Sequence, residues 1–113
     1  MGCSPLNRLL LDEVPVQDDW LPIIGAMSEL EWLSLTNALV TDAGLPAISD
    51  LKHLECLCLK GTSITDAALA EIRHFPELKV FNIMATSITE HAVADLQKEF
   101  PELRIYHDIQ DDE

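Results

Sequence analysis

Apolar positions recur along this chain in one repeated order. Leu6, Leu30, Leu54, Leu78 and Leu103 open successive copies at intervals of 24, 24, 24 and 25 residues. Behind each opening leucine, apolar residues alternate with polar ones: Leu9 and Leu11, Leu33 and Leu35, Leu57 and Leu59, Phe81 and Ile83. A period of two predicts a short strand with one face buried. The alternation carries on into a turn through Val14 and Val16, Ala38 and Val40, Thr62 and Ile64, Thr86 and Ile88. The period then changes to three or four, which predicts a helix with one inward stripe. The stripes are Leu21, Ile24 and Met27; Leu45, Ile48 and Leu51; Leu69, Ile72 and Phe75; and Val93, Leu96 and Phe100.

The start of each helix is marked by its chemistry. Thr41, Thr65 and Thr89 are suited to cap free N–H groups. The acids Asp18, Asp42, Asp66 and Glu90 sit at the positive end of each helix dipole. Such a row of carboxylates also resembles a set of calcium ligands, but calcium needs about six or more converging oxygens. Capping and dipole account for the row without a metal. Pro15 keeps the first turn extended, Gly25 weakens the first helix, and Pro46 falls early in the second, where its missing donor is tolerated. The phrase Phe-Pro-Glu-Leu closes the third and fourth helices, at 75–78 and 100–103. Aligning the two phrases places the one additional residue between Leu96 and Phe100.

The whole chain therefore reads as one α/β domain over 1–113, built from repeats 6–29, 30–53, 54–77 and 78–102. A terminal strand follows at 103–107, then an acidic tail at 108–113. No repeat of this size buries its apolar side alone, so the copies must stack. At the C-terminal end Asp108 takes the column of Leu35, Leu59 and Ile83, and the core stops. At the N-terminal end no polar cap precedes Leu9, Leu10 and Leu11. An open apolar edge of this kind invites pairing with a second copy, first in line, or with a partner, unless the chain is cut from a longer one.

Around ITDAAL the chain resembles leucine-rich-repeat proteins of the cysteine-containing type, with a bacterial-like T-x-I-T-D-A-x-L phrase. The matching stretches are TSITDAAL at 62–69, TSITEHAV at 86–93 and ALVTDAGL at 38–45. The resemblance runs from Leu6 to Tyr106. It implies a short right-handed solenoid, a horseshoe segment with a concave parallel sheet and convex helices, whose concave side grips another protein. Eukaryotic relatives act as substrate receptors of ubiquitin ligases through an F-box, and this chain has no such segment. The family column for Asn or Cys holds Val14, Ala38, Thr62 and Thr86, so the first two turns lack a side chain to tie them.

If Leu33, Leu57 and Phe81 face inward, their neighbours face out. One outward column is Arg8, Trp32, Cys56, Val80 and Ile105; the next is Leu10, Ser34, Cys58, Asn82 and His107; the third is Asp12, Thr36, Lys60, Met84 and Ile109. Glu31, Glu55, Lys79 and Arg104 edge them. An apolar strip with a tryptophan and a charged rim has the make-up of a protein interface. The predicted partner-binding residues are Trp32, Cys56, Val80, Ile105, Ser34, Cys58, Asn82, Lys60 and Met84, with Leu9, Leu10 and Leu11 as a self-association edge. The bland alternative is that Trp32 shields strand backbone or lies under Met1–Pro5.

Charge and cysteine content narrow the partner. Twenty acids against seven basic residues give a formal charge of −13. That repels phosphate backbones and anionic membrane surfaces, and attracts a basic protein. It also keeps a protein dispersed. Three cysteines, two of them on one strand, do not make a disulfide framework and fit a reducing cytoplasm. Met1-Gly2-Cys3 has the opening of an acylation site, but Leu6 stands where that pattern takes Ser or Thr.

No catalytic constellation is legible. Cys58 and His107 fall two strands apart, about 10 Å, too far for a nucleophile and its base. His53, His74 and His91 occupy unrelated repeat positions. No metal and no cofactor are expected. The sequence predicts a non-catalytic protein-binding module. The alternatives are an acidic, immunity-type inhibitor that masks a basic toxin or enzyme, and a structural subunit that forms homodimers.

Overall fold

The computed structural model describes residues 7–107. Five strands of three residues form one parallel sheet in chain order: β1 (Arg8–Leu10), β2 (Trp32–Ser34), β3 (Cys56–Cys58), β4 (Val80–Asn82) and β5 (Arg104–Tyr106). Every pairing joins residues 24 apart, such as Leu9 with Leu33, Leu33 with Leu57, and Leu57 with Phe81. The parallel ladder continues past the strands, where the Leu11, Leu35, Leu59 and Ile83 N–H groups donate to Ser34, Cys58, Asn82 and Tyr106. Parallel neighbours need a crossover, and a helical segment supplies each one. Met1-Gly2-Cys3, Leu6, Asp108, Ile109 and the acidic tail lie outside the described residues.

The crossovers are tighter than the predicted α-helices. Asp18–Trp20 is a 3-10 turn that runs into α1 (Leu21–Gly25). Asp42–Ile48 and Asp66–His74 are 3-10 helices throughout, and only α2 (Glu90–Glu99) is a regular α-helix. The spacing agrees with this in the last three crossovers, although Leu21, Ile24 and Met27 also step by three and α1 is α-helical. Leu45, Ile48 and Leu51 recur every three residues, as do Leu69, Ile72 and Phe75, and three residues make one 3-10 turn. Val93, Leu96 and Phe100 step by three and then four, which suits 3.6 residues per turn. The additional residue of the last repeat thus goes into an α-helical crossover. Pro46 stands fifth in its helix rather than near the start.

Because of that residue, the last strand departs from the expected columns. The backbone turn at Leu103, whose N–H donates to Phe100, matches those at Leu78 and Leu54. Lys79 then separates Leu78 from β4, whereas β5 begins directly after Leu103. The loss of one residue there cancels the gain in the helix. Val80 pairs with Arg104, Phe81 with Ile105 and Asn82 with Tyr106. A one-residue shift exchanges the two faces of a strand. Ile105 therefore packs against the core, contrary to its predicted place in the outward column. Tyr106 takes the position expected of His107, and the His107 Nδ1 is buried without a hydrogen-bond partner among the described residues.

The core lies between sheet and helices. Leu33, Leu35, Leu51, Leu54, Leu59, Ile48, Ile64 and Phe81 are completely shielded. Met27, expected on the inward stripe, is instead 43 % exposed. Its counterparts Leu51 and Phe75 are covered, but α1 has no described helix on its other flank. The same cause exposes Trp20 and Ile23 on that flank. Trp20 stands where later repeats have Gly44 and Ala68, both buried at a repeat junction. Gly25 serves that packing: a Cβ there would lie 2.0 Å from the Ala47 carbonyl oxygen. Its absence lets α1 approach the following helix, which offsets the weakening that glycine brings to a helix.

Two further regularities lock the repeats. Glu13, Asn37, Gly61 and Ala85 all have positive φ, at 66°, 62°, 75° and 58°. They mark the same corner in four consecutive repeats. In addition, the helix-start acids do more than face a dipole. Three of them, Asp18, Asp42 and Asp66, accept hydrogen bonds from the threonine of the next repeat. The Thr41 N–H and hydroxyl donate to Asp18, those of Thr65 to Asp42, and those of Thr89 to Asp66. The same threonine oxygens accept from Ala43, Ala67 and Ala92 as N-caps. Thr62 and Thr86 tie their turns by donating to the Leu59 and Ile83 carbonyls at 2.7 Å. The Val14 and Ala38 turns are closed by backbone bonds to Leu11 and Leu35.

Candidate protein-binding face

The outward side of the sheet is built by strand alternation. With Leu33, Leu57 and Phe81 inward, Trp32, Cys56 and Val80 stand in one outward row, flanked by Arg8 and Arg104. Leu10, Ser34, Cys58, Asn82 and Tyr106 form the second row. Thr36, Lys60 and Met84 continue in a third, where the Glu13, Asn37 and Gly61 N–H groups donate to their carbonyls. Trp32, Cys56 and Val80 are half-buried, so this row is neither sealed nor fully solvated.

Together these rows line a shallow groove of about 740 Å³. Trp32, Ser34, Cys56, Cys58, Lys60, Val80 and Asn82 all contribute to it, while Met84 and Ile105 do not. Leu10, 53 % exposed, and Tyr106, 44 % exposed, add apolar surface at its two ends. Tyr106 is absent from the predicted interface because the interval of 25 residues points to the wrong side of β5. Leu10 belongs to this groove. Its neighbours Leu9 and Leu11, expected on an open edge, pack against the core.

The polar residues of the groove are engaged locally. The Ser34 hydroxyl donates to the Asp12 carboxylate, which lets Ser34 be buried. Ser34 lies 3.4 Å from the Thr36 hydroxyl, which is in turn 3.3 Å from the Cys58 sulfur. The Asn82 side-chain oxygen accepts from the Met84 N–H at 3.0 Å. Cys56 and Cys58 are not joined in a disulfide. The Arg8 guanidinium carbon lies 4.3 Å from the centre of the Trp32 ring, a cation–π contact.

The histidines do not gather. His53 is 3.9 Å from Glu77 in the turns before β3 and β4, while on the helices His74 is 3.6 Å from Glu71 and His91 is 3.4 Å from Asp95. The oxygens of Asp18, Asp42 and Asp66 are turned onto threonine donors and do not converge on a point. No helix among the described residues is long and apolar enough to cross a membrane.

No family model matches the chain, and no curated protein matches it in sequence. Its fold is shared with solved structures. One is described as "Leiomodin-1 Actin-Binding Site 2 (ABS2)", with 12% identity, a TM-score of 0.71, and coverage of 94% of this chain and 72% of that chain. The likeness establishes a repeat-like α/β fold with a parallel sheet on one side.

Proposed function

We propose that this protein is a non-catalytic interaction module that holds another protein against its sheet face. The observation that carries this reading is the outward row of Trp32, Cys56 and Val80, half-buried and edged by charge, lying in a groove of about 740 Å³. Tryptophan in such a setting is the residue type most often found at binding hot spots. The 24-residue register supports a short right-handed leucine-rich-repeat solenoid of the ITDxxL type, sheet concave and helices convex. The leiomodin-1 fragment of similar fold is an actin-binding site, which supports the general class of protein binding while leaving actin with leiomodin. A protein partner fits the acidic chain better than nucleic acid or membrane, and the unbridged cysteine pair fits the cytoplasm. Trp32→Ala should remove partner capture in a quantitative pull-down with an unchanged melting temperature. Lys98→Glu, on the helical side, should leave capture intact. Equal capture by wild type and Trp32→Ala would end the reading.

A second reading, self-association through the N-terminal end, is favoured by a separate observation. Trp20, Ile23 and Met27 are exposed there at 41, 68 and 43 %, next to the sheet edge formed by β1. Among the described residues β1 is an edge strand with apolar surface beside it, which is suited to pairing with a second copy. Light scattering over a range of concentrations should then give a dimer that Ile23→Lys abolishes; a monomer at all concentrations excludes it. The immunity-type alternative is less favoured, because Asp18, Asp42 and Asp66 are already bound to threonines.

A further inference from the structure

We infer that the segment held by the sheet face is acidic as well as apolar, although the chain itself is strongly acidic; this rests on the sheet-face reading above. The formal charge is −13, yet the groove is lined by two cations, Arg8 and Lys60, and one carboxylate, Asp12. Asp12 already accepts the Ser34 hydroxyl. Neither cation is in an ion pair among the described residues, where the ion pairs involve His53, Arg73, His74, Lys79 and His91. Arg104 extends the outward row on β5 and likewise has no carboxylate partner among the described residues.

The Arg8 contact is the most informative of these. The guanidinium carbon lies over the Trp32 ring, 4.3 Å from its centre. Stacking uses the face of the group and leaves its in-plane N–H donors for a carboxylate. A ligand residue beside Trp32 would therefore meet a cation already held against the ring. Arginine held against a ring loses less freedom on binding than a mobile chain.

Net charge argues against an acidic ligand only at long range. The three extents of the fold are 42, 30 and 20 Å. Even the shortest exceeds the screening length of about 8 Å at physiological ionic strength. The helical-side acids thus act weakly on a ligand in the groove; at its rim Glu55 is paired with Lys79, and Glu31 beside Trp32 is outnumbered by Arg8, Lys60 and Arg104. From β1 to β5 the sheet spans four strand spacings, roughly 19 Å, the length of about six extended residues. The proposed ligand is accordingly an extended segment of about that length, with an aromatic or aliphatic residue for the Trp32–Val80 row and carboxylates for Arg8 and Lys60.

Selection from phage-displayed random 12-residue peptides tests this, with the wild-type chain as bait and Trp32→Ala as the counter-bait. Enriched peptides should combine Asp or Glu with Trp, Phe or Leu. As synthetic peptides they should bind at least tenfold more weakly to the Arg8→Gln, Lys60→Gln double variant, both sites being exposed and the variant checked for an unchanged melt. Enriched peptides that are neutral or basic and indifferent to the double variant, but lost on Trp32→Ala, overturn the acidic ligand and leave the sheet-face reading standing. Peptides held equally by Trp32→Ala, or no enrichment at all, overturn both.

Discussion

The Asp18 carboxylate accepts from the Thr41 N–H at 2.7 Å and from the Thr41 hydroxyl at 2.6 Å, across the junction between two repeats. The same pairing recurs between Asp42 and Thr65 and between Asp66 and Thr89. These acids are readable from sequence as helix-start residues. Their larger role is to fasten each repeat to the next.

Removing one such acid should cost stability in proportion to its burial. Asp18 and Thr41 are half-buried, whereas Asp66 and Thr89 are exposed. Asp18→Ala should lose about 1.5–3 kcal/mol, since a partly buried N–H is left without an acceptor, and Asp66→Ala about 0.5–1.5 kcal/mol. Urea titrations of the two variants decide it. Equal losses below 0.5 kcal/mol, about the limit for surface changes, would mean that the links add nothing.

The four positive-φ corners make an asymmetric prediction. Ala85 holds a conformation that costs an L-residue roughly 1–2 kcal/mol. Ala85→Gly should relieve that, less the entropy of a freer unfolded chain, for a net gain of about 0.5–1 kcal/mol. Gly61→Ala should go the other way, because φ is +75° and a Cβ would lie 2.0 Å from the Asn37 side-chain oxygen. Melting curves of the pair should shift in opposite directions.

The register of β5 can be tested by charge. Ile105 packs on the core and Arg104 faces out. Ile105→Asp should destabilise by about 2 kcal/mol or more, from an unpaired polar group against apolar neighbours, and Arg104→Asp by less than about 0.5 kcal/mol. The reverse ranking would restore the outward Ile105 that the interval of 25 residues suggests.

Gly25→Ala should destabilise by about 1–3 kcal/mol, as overpacking does, because the added carbon meets the Ala47 carbonyl, which is backbone and cannot swing aside. If thermal unfolding were unchanged or raised, helix propensity would outweigh the close approach at this site.

Periodicity makes most of this fold legible. The interval of 24 residues places Trp32, Cys56 and Val80 side by side, as the sheet has them, and puts Leu33, Leu57 and Phe81 in the core. It fails where two changes compensate. The residue gained in α2 is lost again between Leu103 and β5, and counting leucines registers only the first. Tyr106 is hidden for that reason. The 3-10 geometry of Asp42–Ile48 is present in the spacing of three, yet a stripe of three contacts also fits an α-helix. Met27 and Trp20 mislead for another reason: a repeat pattern assigns each position its average environment, and the first copy has a described neighbour on one side only.

The aspartate–threonine links all point one way, each acceptor reaching toward a donor later in the chain. The two ends of the array should therefore come apart at different cost. Melting away the last repeat releases a carboxylate, Asp66, into water that solvates it readily. Melting away the first strands the Thr41 N–H beside half-buried surface. Heat or denaturant should peel the array backwards from its C-terminal copy, and amide exchange should reach β5 and α2 well before it reaches β2.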